Sequence, residues 1–259
     1  MIDFASDVLA GKFWLFCAAL VFWVFAGPAP ATAGNWRVVP IKINFDIKTR
    51  SEVVTVANDG DQALSLEVSA MEWSQDQNGQ DVYQPATDLI FFPKQLVIEP
   101  KKERVIRAGV KVPAVSREKT YRLFIREVPA ARQPAENAVA IAIQFGVPVF
   151  VAPPKAEIKG DIATVVIGQG QVAVTVKNQG NSHFRVSRVK LQGKTSGGEA
   201  LETVETSGWY LLAGTQRTFN VDLPAELCRK ADLLEVVVES DRITLTGSTD
   251  VDKAKCSAP

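Results

Sequence analysis

The sequence predicts an all-β protein built from two sandwich domains, and three observations carry that expectation. Its 259 residues suffice for an export segment followed by two immunoglobulin-like sandwiches of roughly 100 residues each. Apolar side chains recur every second residue in short β-branched runs separated by Gly, Pro, Asn and Asp, the signature of half-buried strands. No stretch sustains an apolar period of 3.6 residues, so helices should be few and short.

The amino terminus carries Lys12, an apolar run over residues 13–27, and then Pro28 and the A-x-A pattern of Ala31 and Ala33. That run is shorter than the roughly 20 residues of a spanning helix, and small residues and prolines follow it. Residues 1–33 are therefore expected to be a cleaved secretory signal peptide, although Asp3 and Asp7 make its start less basic than usual. The first domain, residues 34–152, reads as about seven strands. They include runs over 51–57, 63–73, 96–98, 103–108, 120–128 and 139–151, with turns at Asn58-Asp59-Gly60-Asp61, Gln77-Asn78-Gly79 and Glu99-Pro100-Lys101-Lys102. Pro153 and Pro154 cannot continue a ladder because proline lacks the backbone donor, and they mark the boundary. The rhythm restarts over 164–167, 172–178, 184–192, 216–223 and 233–239, so residues 153–259 form the second sandwich, with an interdomain cleft between two modules joined at an angle.

Basic and acidic residues balance at 29 each, so no global field favours nucleic acid or an anionic membrane. Cys17 lies in the expected signal, which leaves Cys228 and Cys256 as an even pair in a secreted chain. A disulfide between them is expected, two buried thiols being the alternative, and it would contribute about 3 kcal/mol in the entropic account. His183 is the only histidine. It is read as filling or capping a turn, its ring nitrogens satisfied by backbone groups rather than serving catalysis. No phosphate-binding glycine loop, nucleophile elbow or metal-ligand spacing occurs, so neither an enzyme nor a cofactor is expected.

The most informative run is residues 139–151, in which Val139, Ile141, Ile143, Phe145, Val147, Val149 and Val151 occupy every odd position. Such a face belongs either to the strand's own core or to a partner. The small Ala140 and Ala142 on the other face and Pro148, a residue suited to edges, favour an exposed edge that pairs with an incomplete sheet of another protein.

At these residues the chain resembles a known family. Thr120-Tyr121-Arg122-Leu123-Phe124-Ile125-Arg126-Glu127-Val128-Pro129, followed by the alternating strand ending Pro148-Val149-Phe150-Val151-Ala152-Pro153, is similar to the last two strands of the amino-terminal domain of periplasmic chaperones of the chaperone-usher pilus pathway. Lys42-Ile43-Asn44-Phe45 and the run containing Val53, Thr55, Val56 and Asn58 resemble the first two strands, so the resemblance covers about residues 38–154. It implies a periplasmic chaperone that stabilises pilus or spore-coat-like subunits by donor-strand complementation and passes them to an outer-membrane usher, and it leaves open whether the unliganded protein caps its exposed edge as a self-dimer. Val139, Ile141, Ile143 and Phe145 would be the donor-strand residues. The family holds the subunit's terminal carboxylate with two basic residues. Lys42 matches the first, but the second falls on Pro148, leaving either Arg122 or Arg126 as a substitute or Lys42 with backbone amides alone; the Pro-x-Phe-x-x-Pro ending resembles the archaic branch. The competing readings are a secreted immunoglobulin-like adhesin or pilus component, and a carbohydrate-binding module using Trp73, Trp209 and Tyr210 as stacking surfaces.

Overall fold

The computed structural model describes residues 35–111, 113–114, 116–129 and 141–256. The expected signal peptide and Val139 lie outside them. Ten strands make the first sandwich: β1 (Trp36–Val39), β2 (Ile43–Phe45), β3 (Ser51–Asn58), β4 (Leu64–Gln75), β5 (Asp81–Pro85), β6 (Leu89–Phe92), β7 (Gln95–Ile98), β8 (Glu103–Val110), β9 (Lys119–Glu127) and β10 (Gln144–Val151). One sheet runs β1-β3-β8-β6. The other runs β2-β10-β9-β4-β5, with β7 also paired to β4.

Period-two patterning does what it predicts along β4, where Leu64, Leu66, Val68 and Ala70 point inward. They meet Val54, Val56, Ile106 and Ala108 of the opposite sheet and Tyr121, Leu123 and Ile125 of β9 in one core. More strands form than the seven expected, because β1, β5 and β6 are too short or too polar to show alternation.

The second sandwich holds β11 (Gly160–Gly168), β12 (Gln171–Asn178), β13 (Phe184–Lys194), β14 (Ala200–Ser207), β15 (Tyr210–Leu211), β16 (Gln216–Asp222), α1 (Ala225–Lys230), β17 (Leu233–Ser240) and β18 (Thr244–Asp250). Its sheets run β11-β12-β16 and β14-β13-β17-β18, with β15 on β13. The expected disulfide is present. Cys228 of α1 joins Cys256 at a Cα separation of 5.4 Å, fastening the turn at Lys253–Lys255 to the core.

Two turns read from the sequence are built alike. The amide of Asn58 donates to the carbonyls of Gln62 and Ile98, with that of Glu99 at 3.3 Å, and the amide of Asn178 to those of Ser182 and Leu211, while each side-chain oxygen accepts the N–H of Gly60 or Gly180 two residues on. Both amides are buried and satisfied, so neither turn leaves a desolvated polar group unpaired.

The sandwiches meet along two lines. In one, the β4–β5 hairpin lies on β15 and β16. Gln75 Nε2 donates to the Tyr210 carbonyl at 2.9 Å, Gln75 Oε1 accepts from Leu212 N at 3.0 Å and Thr215 Oγ1 at 2.9 Å, and Arg217 Nη1 donates to the Gly79 carbonyl at 2.7 Å. Gly79 has φ +75°, and a Cβ there would stand 2.5 Å from the Gln216 carbonyl, so this approach needs glycine. In the other, the segment ahead of β9 docks on the Asn181–His183 turn, with Glu118 N donating to the Asn181 carbonyl at 2.9 Å.

Candidate functional site

Strand β10 is half covered. It pairs with β9 along its whole length, antiparallel, but with β2 only at Val149, Phe150 and Val151, in parallel. Two hydrogen bonds fix which way its backbone points: Glu127 N donates to the Ile143 carbonyl on the β9 side, and Ala152 N donates to the Phe45 carbonyl on the β2 side. By alternation, odd residues serve β9 and even residues serve β2. The backbone groups of Gln144 and the N–H of Gly146 therefore face the uncovered side, whereas the Gly146 carbonyl accepts from Arg122 Nη1 and the Val149–Ile43 pairing takes the Pro148 carbonyl. Pro148 lacks the N–H that would point there, so its ring costs the internal ladder nothing, the position in which a strand tolerates proline.

Side chains divide the same way. Val147, Val149 and Val151 are buried in the first core, and Phe145 packs against it with its ring 4.6 Å edge-on to Trp36. The odd face from Phe145 onward thus serves the chain's own core. Upstream, the strand expected over residues 139–151 begins only at Gln144. Ile143 leans on the core from outside the strand, and Ile141 is 71% exposed.

Lys42 lies immediately before β2, exposed, with no ion-pair partner among the described residues. Arg126 is exposed on the outer face of β9 and paired with Glu67. Arg122, on the same face, is nearly enclosed at 7% exposure. Its Cζ sits 3.9 Å above the Trp73 ring centroid, with Tyr210 at 5.5 Å and Trp209 at 5.7 Å. Arg122 Nη1 donates to the Gly146 carbonyl at 2.9 Å, whereas Nε and Nη2 are buried without an acceptor. Of the stacking residues considered from sequence, Trp73 is core, Tyr210 is partly buried and Trp209 is half-exposed.

Beside this cluster, Asp81 gathers three donors: Gln75 Nε2 at 3.1 Å, Tyr83 Oη at 3.3 Å and Trp209 Nε1 at 3.0 Å. Burial, and then the Asp81 charge, push the Tyr83 hydroxyl above its ordinary pKa.

His183 corrects the expectation made for it. Its ring is buried, stacked on Phe150 at 3.5 Å, and Nδ1 faces Glu118 Oε2 at 2.7 Å, while the backbone N–H of His183 donates to the same oxygen at 2.8 Å. A carboxylate of the first sandwich thus replaces the expected backbone partners, and Nε2 has none among the described residues. Glu118, Asp81 and Gln75 escaped the sequence reading because each acts across 65 residues or more, and such distances leave no periodic trace, while Tyr83 is tied to the adjacent Asp81 and to the Phe124 ring of β9. The one signal on offer was Arg122, a charge in an otherwise apolar run on β9.

Among the described residues, no cluster of His, Cys, Asp and Glu could hold a metal ion, and no helix is long and apolar enough to cross a membrane.

Comparisons with known proteins supply the context. Residues 37–157 match the family described as pili and flagellar-assembly chaperone, PapD N-terminal domain. Three solved structures are similar in fold. One is the CsuC–CsuE chaperone–tip adhesion subunit pre-assembly complex from archaic chaperone-usher Csu pili of Acinetobacter baumannii, at 18% identity and a TM-score of 0.57, covering 83% of this chain and 98% of that one. Another is the YadV chaperone, at 13% identity and 0.56, covering 83% and 99%. The third is the SafA pilin–SafB chaperone complex of Salmonella enterica, at 13% and 0.53, covering 85% and 99%. At these identities the likeness is one of fold, and it extends through the second sandwich. No curated protein sequence matches this chain.

Proposed function

We propose, from the premise that through residues 37–157 this chain belongs to the pili and flagellar-assembly chaperones, that it holds pilus subunits by lending them the uncovered half of β10 and passes them to an outer-membrane usher. The observation that carries this reading is the half-covered strand: Gln144 and the Gly146 N–H turn backbone groups to an unpaired side, and the exposed Ile141 continues the apolar odd face just beyond the sheet. A subunit lacking a strand gains main-chain hydrogen bonds from such an edge, and specificity from alternate side chains. Val139, Ile141 and Ile143 are the pegs of that interaction, while Phe145 orients the strand through its contact with Trp36. Lys42 and the caged Arg122 anchor the subunit's terminal carboxylate, with Arg126 kept outside by its pairing to Glu67.

The outer face of the β1-β3-β8-β6 sheet stays free when β10 is occupied. It exposes Val39, Val53, Ile90, Phe92 and Val105 around Arg107, an apolar face suited to the usher. A cleaved signal peptide and the disulfide fit a periplasmic site of action. Without a client, the same edge pairs with a second copy.

The test is periplasmic co-expression of the full chain with a small secreted subunit encoded beside its gene. The wild type is expected to yield a soluble one-to-one complex, and Ile141→Asp to fold normally yet lose the subunit to degradation. Equal subunit recovery with both proteins would refute strand lending.

A further inference from the structure

Resting on the strand-lending reading, a second question is what closes over Arg122. This side chain leaves the outer face of its sheet and would be open to solvent on an isolated first sandwich, yet it is 7% exposed. Trp73 lies beneath it, while Tyr210 and Trp209 come from the second sandwich. We propose that Trp209 is the cover of a carboxylate site on Arg122 and sets how tightly a client's carboxyl terminus is held.

Nε–H and Nη2–H lie along one edge of a guanidinium, the edge that takes a carboxylate through two parallel hydrogen bonds. On Arg122 it is this edge that makes no hydrogen bond of good geometry among the described residues, the Tyr83 hydroxyl being its polar neighbour. Nη1 is committed to the Gly146 carbonyl, which fixes the plane of the group beside the uncovered half of β10. A buried cation with two unsatisfied donors is costly, aromatic faces compensate only in part, and an entering carboxylate satisfies both donors at once.

Trp209 stands at the mouth of this site, 37% exposed, with its ring centroid 5.7 Å from Arg122 Cζ. Its backbone is pinned: Val186 N donates to the Trp209 carbonyl at 3.0 Å, and Gly208 N donates to the Ser187 carbonyl at 3.1 Å. A Cβ at Gly208 would stand 2.3 Å from the Val186 carbonyl, so the loop is held close to β13. The indole, by contrast, is tied by one hydrogen bond, Nε1 to Asp81 Oδ2, and Asp81 keeps Tyr83 and Gln75 as donors if that bond is released. Opening is then a side-chain rotation without backbone movement. Closure excludes water from the Arg122–carboxylate pair and strengthens it, because charges attract more strongly at lower dielectric. The Asp81 charge beside the mouth disfavours a second anion, so the site takes one carboxylate.

The probe is an N-acetylated heptapeptide of alternating Thr and Val, made with a free carboxyl terminus and as the amide, titrated into the full chain while tryptophan emission is followed. The wild type is expected to bind the acid at least tenfold more tightly than the amide, with an emission change that is lost in Trp209→Phe. Trp209→Ala is expected to bring the acid-to-amide ratio below threefold while leaving the amide's affinity unchanged, and Arg122→Gln to abolish the preference. If Trp209→Ala keeps the wild-type ratio, the cover is refuted while the Arg122 anchor stands. If acid and amide bind the wild type equally, the Arg122 anchor falls as well and strand lending survives. If neither peptide binds at millimolar concentration, strand lending itself fails and the inference with it.

Discussion

Gln75→Ala should loosen the junction that brings Trp209 and Tyr210 to Arg122. The Gln75 amide makes four hydrogen bonds: to Asp81 at 3.1 Å, to the Tyr210 carbonyl at 2.9 Å, from Leu212 N at 3.0 Å and from Thr215 Oγ1 at 2.9 Å. Three of the four cross between sandwiches, and two of those are with backbone groups. At about 1 kcal/mol net per bond, and allowing water to reach part of the vacated space, the loss is about 2 to 4 kcal/mol. For a chain of this size, each kcal/mol moves the melting temperature by roughly 2 to 4 °C. Circular dichroism melts should therefore show a fall of about 4 to 16 °C, and urea unfolding should separate into two transitions as the sandwiches uncouple. Gln75→Glu provides the signed control. A carboxylate there faces Asp81, so its folded pKa is raised above the unfolded value of about 4.3. The defect is then full at neutral pH, and stability returns as pH falls below that range. A melting shift below 1 °C for Gln75→Ala would refute the account of the junction.

Further outcomes follow at other positions. Ile141→Ala removes three carbons, each worth about 0.8 kcal/mol when buried; scaled by the 71% exposure available for burial, this is about 1.7 kcal/mol, or about 17-fold in subunit affinity by competition binding. Its melting temperature should be unchanged, whereas Val149→Ala, fully buried on the same strand, should cost about 2 kcal/mol of stability. Burial alone would raise the Asp88 pKa, but hydrogen bonds from Lys119 and Tyr121 outweigh it and hold the carboxyl below its usual range. Its stabilisation is therefore present above about pH 4 and lost on further acidification, and Asp88→Asn should remove that acid limb from the stability profile. The Tyr121 hydroxyl is pushed up by burial and then by Asp88, so stability should decline above about pH 10 and Tyr121→Phe should flatten that decline. Cys228→Ser with Cys256→Ser should cost about 3 kcal/mol, read as earlier urea unfolding of the second sandwich.

What was legible in the sequence was whatever repeats locally. Alternation along residues 64–70 and 120–128 marked core strands, and Asn58 and Asn178, each two residues before a glycine, marked turns that the structure builds identically. The disulfide was legible because only two cysteines remain after the expected signal. The charge and aromatic cluster was not, because Arg122 draws its neighbours from β4, β10 and β15, and Trp209 reaches Asp81 across 128 residues. Short polar strands such as β5 stayed hidden for a different reason: Asp81 is recruited by Trp209 of the neighbouring sandwich, and Tyr83 by Asp81 and the Phe124 ring, rather than by a hydrophobic period. His183 was placed at the right turn but given the wrong partner, since Glu118 lies 65 residues away.

Pro148 and Arg122 stand directly opposite each other on β10 and β9. The Glu127-to-Ile143 hydrogen bond makes odd residues of β10 the hydrogen-bonded positions, so Pro148 and Arg122 form a non-hydrogen-bonded pair, in which side chains come closest. Two cations there would repel over the Trp73 ring with little solvent to screen them, which makes a basic residue at position 148 and a caged arginine at 122 alternatives rather than additions. Pro148→Lys alone should therefore lower stability by up to about 1 kcal/mol and weaken subunit binding, as Arg122 is displaced from Gly146. Pro148→Lys combined with Arg122→Met should recover both, because one cation again faces the open edge. A double variant no better than the single in a thermodynamic cycle would show that the two positions do not share one role.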